Sequence, residues 1–126
     1  MLVADTNVIV RLLANDDAAQ VDTIRQAIAG QVVWISVMVL LECAWVLRSR
    51  YQLKRAGMVH MLQTLLATQG FEVEDHAAVQ QACEWFSQQG DFADALHLAR
   101  TQQKGEMLTF DADFCKSAGA PVRVLV

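Results

Sequence analysis

Short apolar runs and longer segments with helical periodicity alternate along the chain. The short runs are rich in β-branched and aromatic residues, which is typical of buried strands. We predict four or five strands, at Met1–Ala4, Val32–Ile35, Phe71–Val73, Met107–Phe110 and Val122–Leu125. Short strands that are apolar on both faces and separated by helices form parallel sheets, because right-handed crossovers place helices on both sides.

The segments between these runs carry helix signals at both ends. Asp17, Ser36 and Asp91 are typical capping residues before periodic stretches, and Gly30 and Gly70 follow two of those stretches. The predicted helices cover about Thr6–Leu13, Ala18–Ala29, Val37–Tyr51, Arg55–Thr68, His76–Gln88 and Phe92–Gln103, with a short helix or turn over Asp111–Ser117. The predicted fold is a three-layer α/β/α sandwich around a mainly parallel sheet.

Composition favours one domain that buries some of its apolar surface against a partner. The chain has 126 residues and one proline, without repeats or a linker, so we predict a single domain over residues 1–126. Hydrophobic residues make up 54% of the chain, more than a small monomer needs for its core. No apolar run reaches the roughly 18 residues of a membrane helix, and Asp5 stands where a signal peptide carries basic residues. We therefore expect a cytoplasmic protein without a membrane span.

Three cysteines and a negative net charge add little to the functional prediction. Cys43, Cys83 and Cys115 are odd in number and widely spaced, which predicts free thiols in a reducing compartment. A net charge of −4 is unusual for a protein that meets nucleic acid. Two divalent cations held by carboxylates would neutralise it, so the charge is compatible with a nuclease without arguing for one.

Four carboxylates fall where parallel sheets build their sites, beyond the carboxyl ends of the strands. Asp5 follows the first strand, Asp111 follows the fourth, Asp94 lies in the first turn of a helix, and Glu42 lies about two turns into another. Each has apolar neighbours, which predicts burial, and a buried carboxylate without a counter-ion is costly. Since no Lys or Arg stands beside them in the sequence, the expected counter-ion is Mg²⁺ or Mn²⁺.

Each carboxylate also has a purely structural interpretation. Asp5 and Asp94 suit helix N-termini, and Asp111 suits a turn. Glu42 is the most informative of the four, because a glutamate in the middle of an apolar helix has no capping role, although a buried hydrogen bond would also explain it.

With these residues in place, the chain resembles the PIN domain, and most closely the VapC-type toxins of bacterial toxin–antitoxin pairs. The resemblance covers nearly the whole chain. Four segments carry it: V-A-D-T-N-V-I-V-R-L-L at Val3–Leu13, I-S-V-M-V-L-L-E-C-A-W-V-L at Ile35–Leu47, D-F-A-D-A-L-H-L-A at Asp91–Ala99 and L-T-F-D-A-D-F at Leu108–Phe114.

The resemblance implies a Mg²⁺- or Mn²⁺-dependent endoribonuclease that hydrolyses RNA with metal-activated water, leaving a 5′-phosphate and a 3′-hydroxyl. It assigns the metal-ligand and catalytic roles to Asp5, Glu42, Asp94 and Asp111. Polar positions that support the acidic residues in the family correspond here to Asn7, Ser36 and Thr109. The extra carboxylates Asp91 and Asp113 lie within three residues of the assigned ligands Asp94 and Asp111. The resemblance also implies a homodimer and a small antitoxin that blocks the acidic groove.

Other residues are candidates for roles around the predicted site. His97 lies one turn after Asp94 and could act as a general acid or ligand, although a surface or core histidine is the simpler interpretation. Trp45 and Leu41 could form a self-association face, while Trp34 and Trp85 suit packing. The densest basic cluster could guide RNA or could simply be a solvated helix end; it comprises Arg48, Arg50, Lys54 and Arg55.

Three other functions compete with the nuclease prediction. Asp111-Ala112-Asp113 resembles the nucleophile motif of haloacid-dehalogenase phosphatases, but Cys115 replaces a threonine and too little chain follows. A Toprim-like domain would need a glutamate where Asp5 stands. A PIN-like module that binds RNA or a partner without cutting is the third, and the intact carboxylates count against it.

Overall fold

In the computed structural model, which describes residues 1–111 and 121–126, the chain divides into two compact units, Met1–Glu74 and Asp75–Val126. The first unit contains β1 (Leu2–Val3), α1 (Thr6–Ala14), α2 (Ala18–Ile28), β2 (Val33–Ile35), α3 (Val37–Ser49), α4 (Arg55–Ala67) and β3 (Phe71–Val73). The second contains α5 (His76–Gln88), α6 (Phe92–Thr101), β4 (Met107–Thr109) and β5 (Val122–Val124).

All strand pairings in the described residues are parallel. In the first unit the strand order is β1-β2-β3, with Val3 opposite Trp34 and Ile35 opposite Val73. In the second unit β4 pairs with β5 and Leu108 lies opposite Arg123. The prediction of an α/β fold with short parallel strands is confirmed, and the five strands divide into a sheet of three and a sheet of two. The single-domain assignment stays a prediction.

The core of the first unit forms where α1 and α3 pack together and α4 packs on β3. Ile9, Ile35 and Leu40 are almost completely buried there. Cap residues fix where the helices begin: Asp17 Oδ1 accepts from Gln20 N at 3.1 Å at the start of α2, as the sequence predicts. Gly30 and Gly70 adopt φ values of +73° and +95°, so the backbone leaves α2 and α4 in a conformation that glycine allows at low cost.

The core of the second unit forms between α5 and α6. Phe86 and Phe92 contact each other edge to face, with ring centroids 5.8 Å apart, and Leu96 and Leu98 are also buried. Asp91 caps α6 through Oδ2, which accepts from Asp94 N at 3.3 Å. The buried face of α6 therefore fixes where Asp91 and Asp94 begin the helix.

The remaining structural predictions have mixed outcomes. Cys43 and Cys83 are buried free thiols, as expected, and Cys115 lies outside the described residues. Trp85 is buried, Trp34 half-buried, and Trp45 is 65% exposed, so packing within the chain does not explain Trp45. None of the described helices is both long and apolar enough to cross a membrane. The predicted helix or turn over Asp111–Ser117 falls mostly outside the described residues.

Candidate functional site

Asp5 and Glu42 both bind to Thr6 in the first unit. Asp5 ends the stretch after β1 and caps α1, because its Oδ1 accepts from Thr6 N at 2.8 Å. Glu42 projects from α3, and its Oε2 accepts from the Thr6 hydroxyl at 3.0 Å. Thr6 is only 8% exposed, so its hydroxyl is in a fixed position. One buried threonine therefore orients two exposed carboxylates that are 37 positions apart in the sequence.

The thiol of Cys43 lies close to both of these carboxylates. Its Sγ donates to the backbone oxygen of Thr6 at 3.8 Å. Burial, and then the negative charges of Glu42 and Asp5, raise the pKa of Cys43 to about 12. The thiolate is the form that binds metal and acts as a nucleophile. Cys43 therefore stays protonated at neutral pH and packs as an apolar side chain beside the pair.

Ser36 and Glu74 cap the helix that carries Glu42. The Ser36 hydroxyl accepts from Val39 N at 3.1 Å, and Glu74 Oε1 accepts from Val37 N at 2.9 Å. Ser36 therefore acts as a helix cap. It affects the position of Glu42 only by fixing where α3 begins. Glu74 was not among the sequence candidates, although a carboxylate directly after β3 is the kind of residue that binds a neighbouring helix N-terminus.

The second unit brings Asp94 close to two other carboxylates. Asp94 is half-buried, and its pKa is raised by this burial first and then by the negative charges of Asp91 and Asp111, while His97 partly offsets the rise. Thr109 Oγ1 accepts from Asp111 N at 3.0 Å, which fixes the backbone where β4 ends. Asp113, the other predicted supporting carboxylate, lies outside the described residues. This group therefore concentrates negative charge around the first turn of α6.

The raised pKa of Asp94 has a consequence for stability. The folded protein binds this proton more tightly than the unfolded chain does, so Asp94 destabilises the metal-free fold as pH rises above its ordinary value of 3.8. We expect Asp94→Asn to raise the Tm at pH 7 in EDTA, and the gain to shrink as pH falls toward that value. Thermal unfolding across this pH range measures it. A lower Tm at pH 7 would contradict the prediction, and Asp22→Asn, an exposed carboxylate on α2, is the control.

Three of the four predicted ligands are exposed instead of buried. Asp5, Glu42 and Asp111 are exposed, so the expectation that apolar sequence neighbours would bury them is wrong. For Glu42 the reason is the periodicity of α3, which buries Cys43 and turns Glu42 outward. Phe110, the apolar neighbour before Asp111, is itself exposed. Only Asp94 is partly buried. The case for a cation therefore rests on the clustering of carboxylates and not on the cost of burying them.

The donor chemistry suits a hard divalent cation. Both groups offer carboxylate oxygens, which Mg²⁺ and Mn²⁺ prefer. In the described part of the chain, no Lys or Arg forms an ion pair with Asp5, Glu42 or Asp94. Within residues 1–111 and 121–126, however, no group of three or more Asp, Glu, His or Cys side chains is arranged to hold a metal. The structure thus joins Asp5 to Glu42 and brings Asp94 near Asp91 and Asp111, and the four-ligand set stays a prediction.

Thr6 gives a test of the Asp5–Glu42 pair that does not change any carboxylate. Thr6→Val keeps the side-chain shape and removes the hydroxyl that Glu42 binds. We expect about tenfold weaker Mn²⁺ binding with little change in Tm, because groups that orient ligands typically contribute this much. Calorimetric titration with Mn²⁺ measures it. Thr23→Val, which removes a hydroxyl bonded to Ala19 O within α2, is the control, and equal affinities for both variants would contradict the prediction.

The four residues of the predicted basic cluster differ in their surroundings. Arg48, Arg50, Lys54 and Arg55 are all exposed near the end of α3 and the start of α4. Arg50 lines a groove that also includes Asn7, whereas Arg48 and Arg55 take part in other interactions. Whether the cluster binds RNA stays a prediction.

Comparison with known protein families identifies a match for the chain. The sequence model of the family described as the PIN domain matches residues 2–120, which is nearly the whole chain. No curated protein and no solved structure matches the sequence. The match spans both units and all four predicted carboxylates.

Proposed function

Because the chain belongs to the PIN domain family, whose members are generally metal-dependent nucleases, we propose that it is a Mg²⁺- or Mn²⁺-dependent endoribonuclease. The observation that carries the proposal is the convergence of Asp5 and Glu42 on Thr6. Asp5 also caps α1, but Glu42 has no capping role in α3, and a metal site needs its ligands held in place. Asp94 and Asp111 are the other proposed ligands.

The chain's own residues prepare the site. Thr6 fixes Asp5 through its backbone amide and Glu42 through its hydroxyl, so neither carboxylate has to be ordered when a ligand arrives. In the second unit, burial and then repulsion from Asp91 and Asp111 raise the pKa of Asp94, and a cation would relieve the repulsion. When bound, a divalent cation supplies Lewis acidity toward a phosphodiester and lowers the pKa of an attacking water.

RNA cleavage by the purified protein tests this function. Structured and single-stranded RNA are incubated with Mn²⁺, with Mg²⁺ and with EDTA, and the ends of the products are identified. The expected result is cleavage only with metal, giving 5′-phosphate and 3′-hydroxyl ends. Cleavage that persists in EDTA, or products with a 2′,3′-cyclic phosphate, would contradict hydrolysis by a metal-dependent site.

We further propose that the protein is the toxin of a cytoplasmic toxin–antitoxin pair and forms a homodimer. The support is the resemblance of its four acidic segments to VapC-type toxins, together with exposed apolar side chains such as Met38 and Trp45 on α3. Induced expression in a bacterial host should arrest growth in the absence of a cognate antitoxin. Growth that continues while intact, active enzyme accumulates would contradict the toxin role.

A PIN-like module that binds RNA or a protein without cutting is the second candidate. It is favoured by one observation: the described residues contain no group of three or more potential metal ligands in binding arrangement. RNA binding without cleavage by folded protein in Mn²⁺ would support it. The phosphatase alternative depends on Asp113, which lies outside the described residues.

A further inference from the structure

A groove in the first unit lies between α1, α2 and the end of α3. It has a volume of about 470 Å³, and Asn7, Arg11 and Arg50 contribute polar groups to it. Val8 and Ile24 contribute apolar surface. A groove that combines two guanidinium groups, an amide and apolar side chains suits a ligand that carries both anionic and apolar parts.

Arg11 is held in place but keeps donors for a ligand. Its Nη1 lies 3.4 Å from Asp16 Oδ1 and 3.4 Å from the Tyr51 hydroxyl, and Tyr51 in turn donates to Asp16 Oδ2 at 3.1 Å. Arginine has five N–H donors, and these contacts use only one of its nitrogens. The side chain is also 39% exposed. Arg11 can therefore bind an anion without breaking its internal contacts.

Arg50 and Asn7 have donors without internal partners. Both side chains are exposed and line the groove. Among the residues that the structure describes, neither side chain forms a hydrogen bond or an ion pair. A guanidinium group binds phosphate through two parallel hydrogen bonds. Because its donors have no partner among the described residues, the Arg50 side chain can form such bonds.

One side of the groove is close in sequence to Asp5, because Asn7 lines it. Asn7 is two residues from Asp5, and Arg11 is one helical turn beyond Asn7 on the same face of α1. A strand bound in the groove would therefore meet Asn7 and Arg11 about 6 Å apart along the helix.

We infer that this groove binds the RNA strand next to the scissile phosphate, with Arg11 and Arg50 contacting phosphate oxygens and Val8 and Ile24 contacting ribose or base. The identity of the ligand rests on the proposed function. A protein segment with carboxylates could also meet two arginines, but Asn7 at the groove is only two residues from Asp5, and this proximity favours the nucleic acid. Arg50 is then a residue that positions substrate rather than one that contacts the reacting atoms.

Binding of a labelled single-stranded RNA in EDTA tests the inference without cleavage. Arg50→Gln removes the charge and breaks no internal contact. We expect about three- to tenfold weaker binding, and a salt dependence of log K lowered by about 0.7, the value for one phosphate contact on a single strand. Arg25→Gln is the matched control, because Arg25 is exposed on α2, has no partner among the described residues and does not line the groove.

The outcomes separate this inference from the proposed function. If Arg50→Gln and Arg25→Gln bind RNA equally well, or if the wild type does not bind RNA, the groove assignment is wrong. Cleavage of RNA by wild type and Arg50→Gln with the same KM would also overturn it while the nuclease function stands. Weaker binding by Arg50→Gln alone, in a protein that never cleaves with Mn²⁺, would support the groove and contradict the nuclease function.

Discussion

Asp5→Asn is expected to lower the rate of metal-dependent RNA cleavage by on the order of 100- to 1000-fold, as large as the loss when one group that stabilises transition-state charge is removed. Asparagine caps helices as well as aspartate does, so the bond from Thr6 N at 2.8 Å can persist in the variant. The substitution therefore removes the negative charge and leaves the start of α1 intact. Single-turnover cleavage in Mn²⁺, with Tm measured alongside, separates lost activity from lost folding.

Asp17→Asn is the matched control for this substitution. Asp17 caps α2 in the same unit through a bond from Gln20 N at 3.1 Å, so the variant loses the same charge at the same kind of position. We expect its cleavage rate to equal that of the wild type. Equal loss of activity in both variants would show that net charge, and not the Asp5 carboxylate, controls the rate.

Phe92→Ala is expected to reduce the free energy of unfolding by about 3–5 kcal/mol, the usual cost of deleting a buried phenyl ring. Phe92 is 2% exposed and contacts Phe86 edge to face, so its removal leaves a cavity where α5 meets α6. Because Phe92 lies between Asp91 and Asp94, loss of this packing should also loosen the first turn of α6. Chemical denaturation measures the change.

Phe110→Ala is the control for this change in stability. Phe110 is 78% exposed, so truncating it should change the free energy of unfolding by less than about 0.5 kcal/mol. A loss below about 1 kcal/mol for Phe92→Ala would contradict the packing described for α5 and α6.

The elements of the fold were predictable because local signals determine where they begin and end. Asp17, Ser36 and Asp91 cap their helices as predicted, and β3 has the predicted bounds. The differences lie at the ends of elements: α3 ends at Ser49 instead of Tyr51, α6 at Thr101 instead of Gln103, and β4 at Thr109 instead of Phe110. Helix ends depend on tertiary contacts and fray, so a sequence places them only to within a turn.

The candidate site was less predictable, because its contacts are long-range. The sequence identifies Asp5 and Glu42, but nothing in it shows that Thr6 joins them, since that bond spans 36 positions. Exposure was predicted wrongly for the same pair, because apolar neighbours in sequence need not cover the side chain between them. Glu74 was missed because its contact with Val37 N depends on how β3 ends beside α3.

Asp5, Glu42, Asp94 and Asp111 are proposed to hold a divalent metal, and titration of the metal-free protein with Mn²⁺ tests this most directly. We predict saturable Mn²⁺ binding to the wild type and to Asp17→Asn, and at least about tenfold weaker binding to both Glu42→Gln and Asp94→Asn. Glutamine at position 42 can still accept from Thr6, so the loss would report the charge alone. Absence of Mn²⁺ binding by the folded wild type, or wild-type affinity in both variants, would contradict the claim.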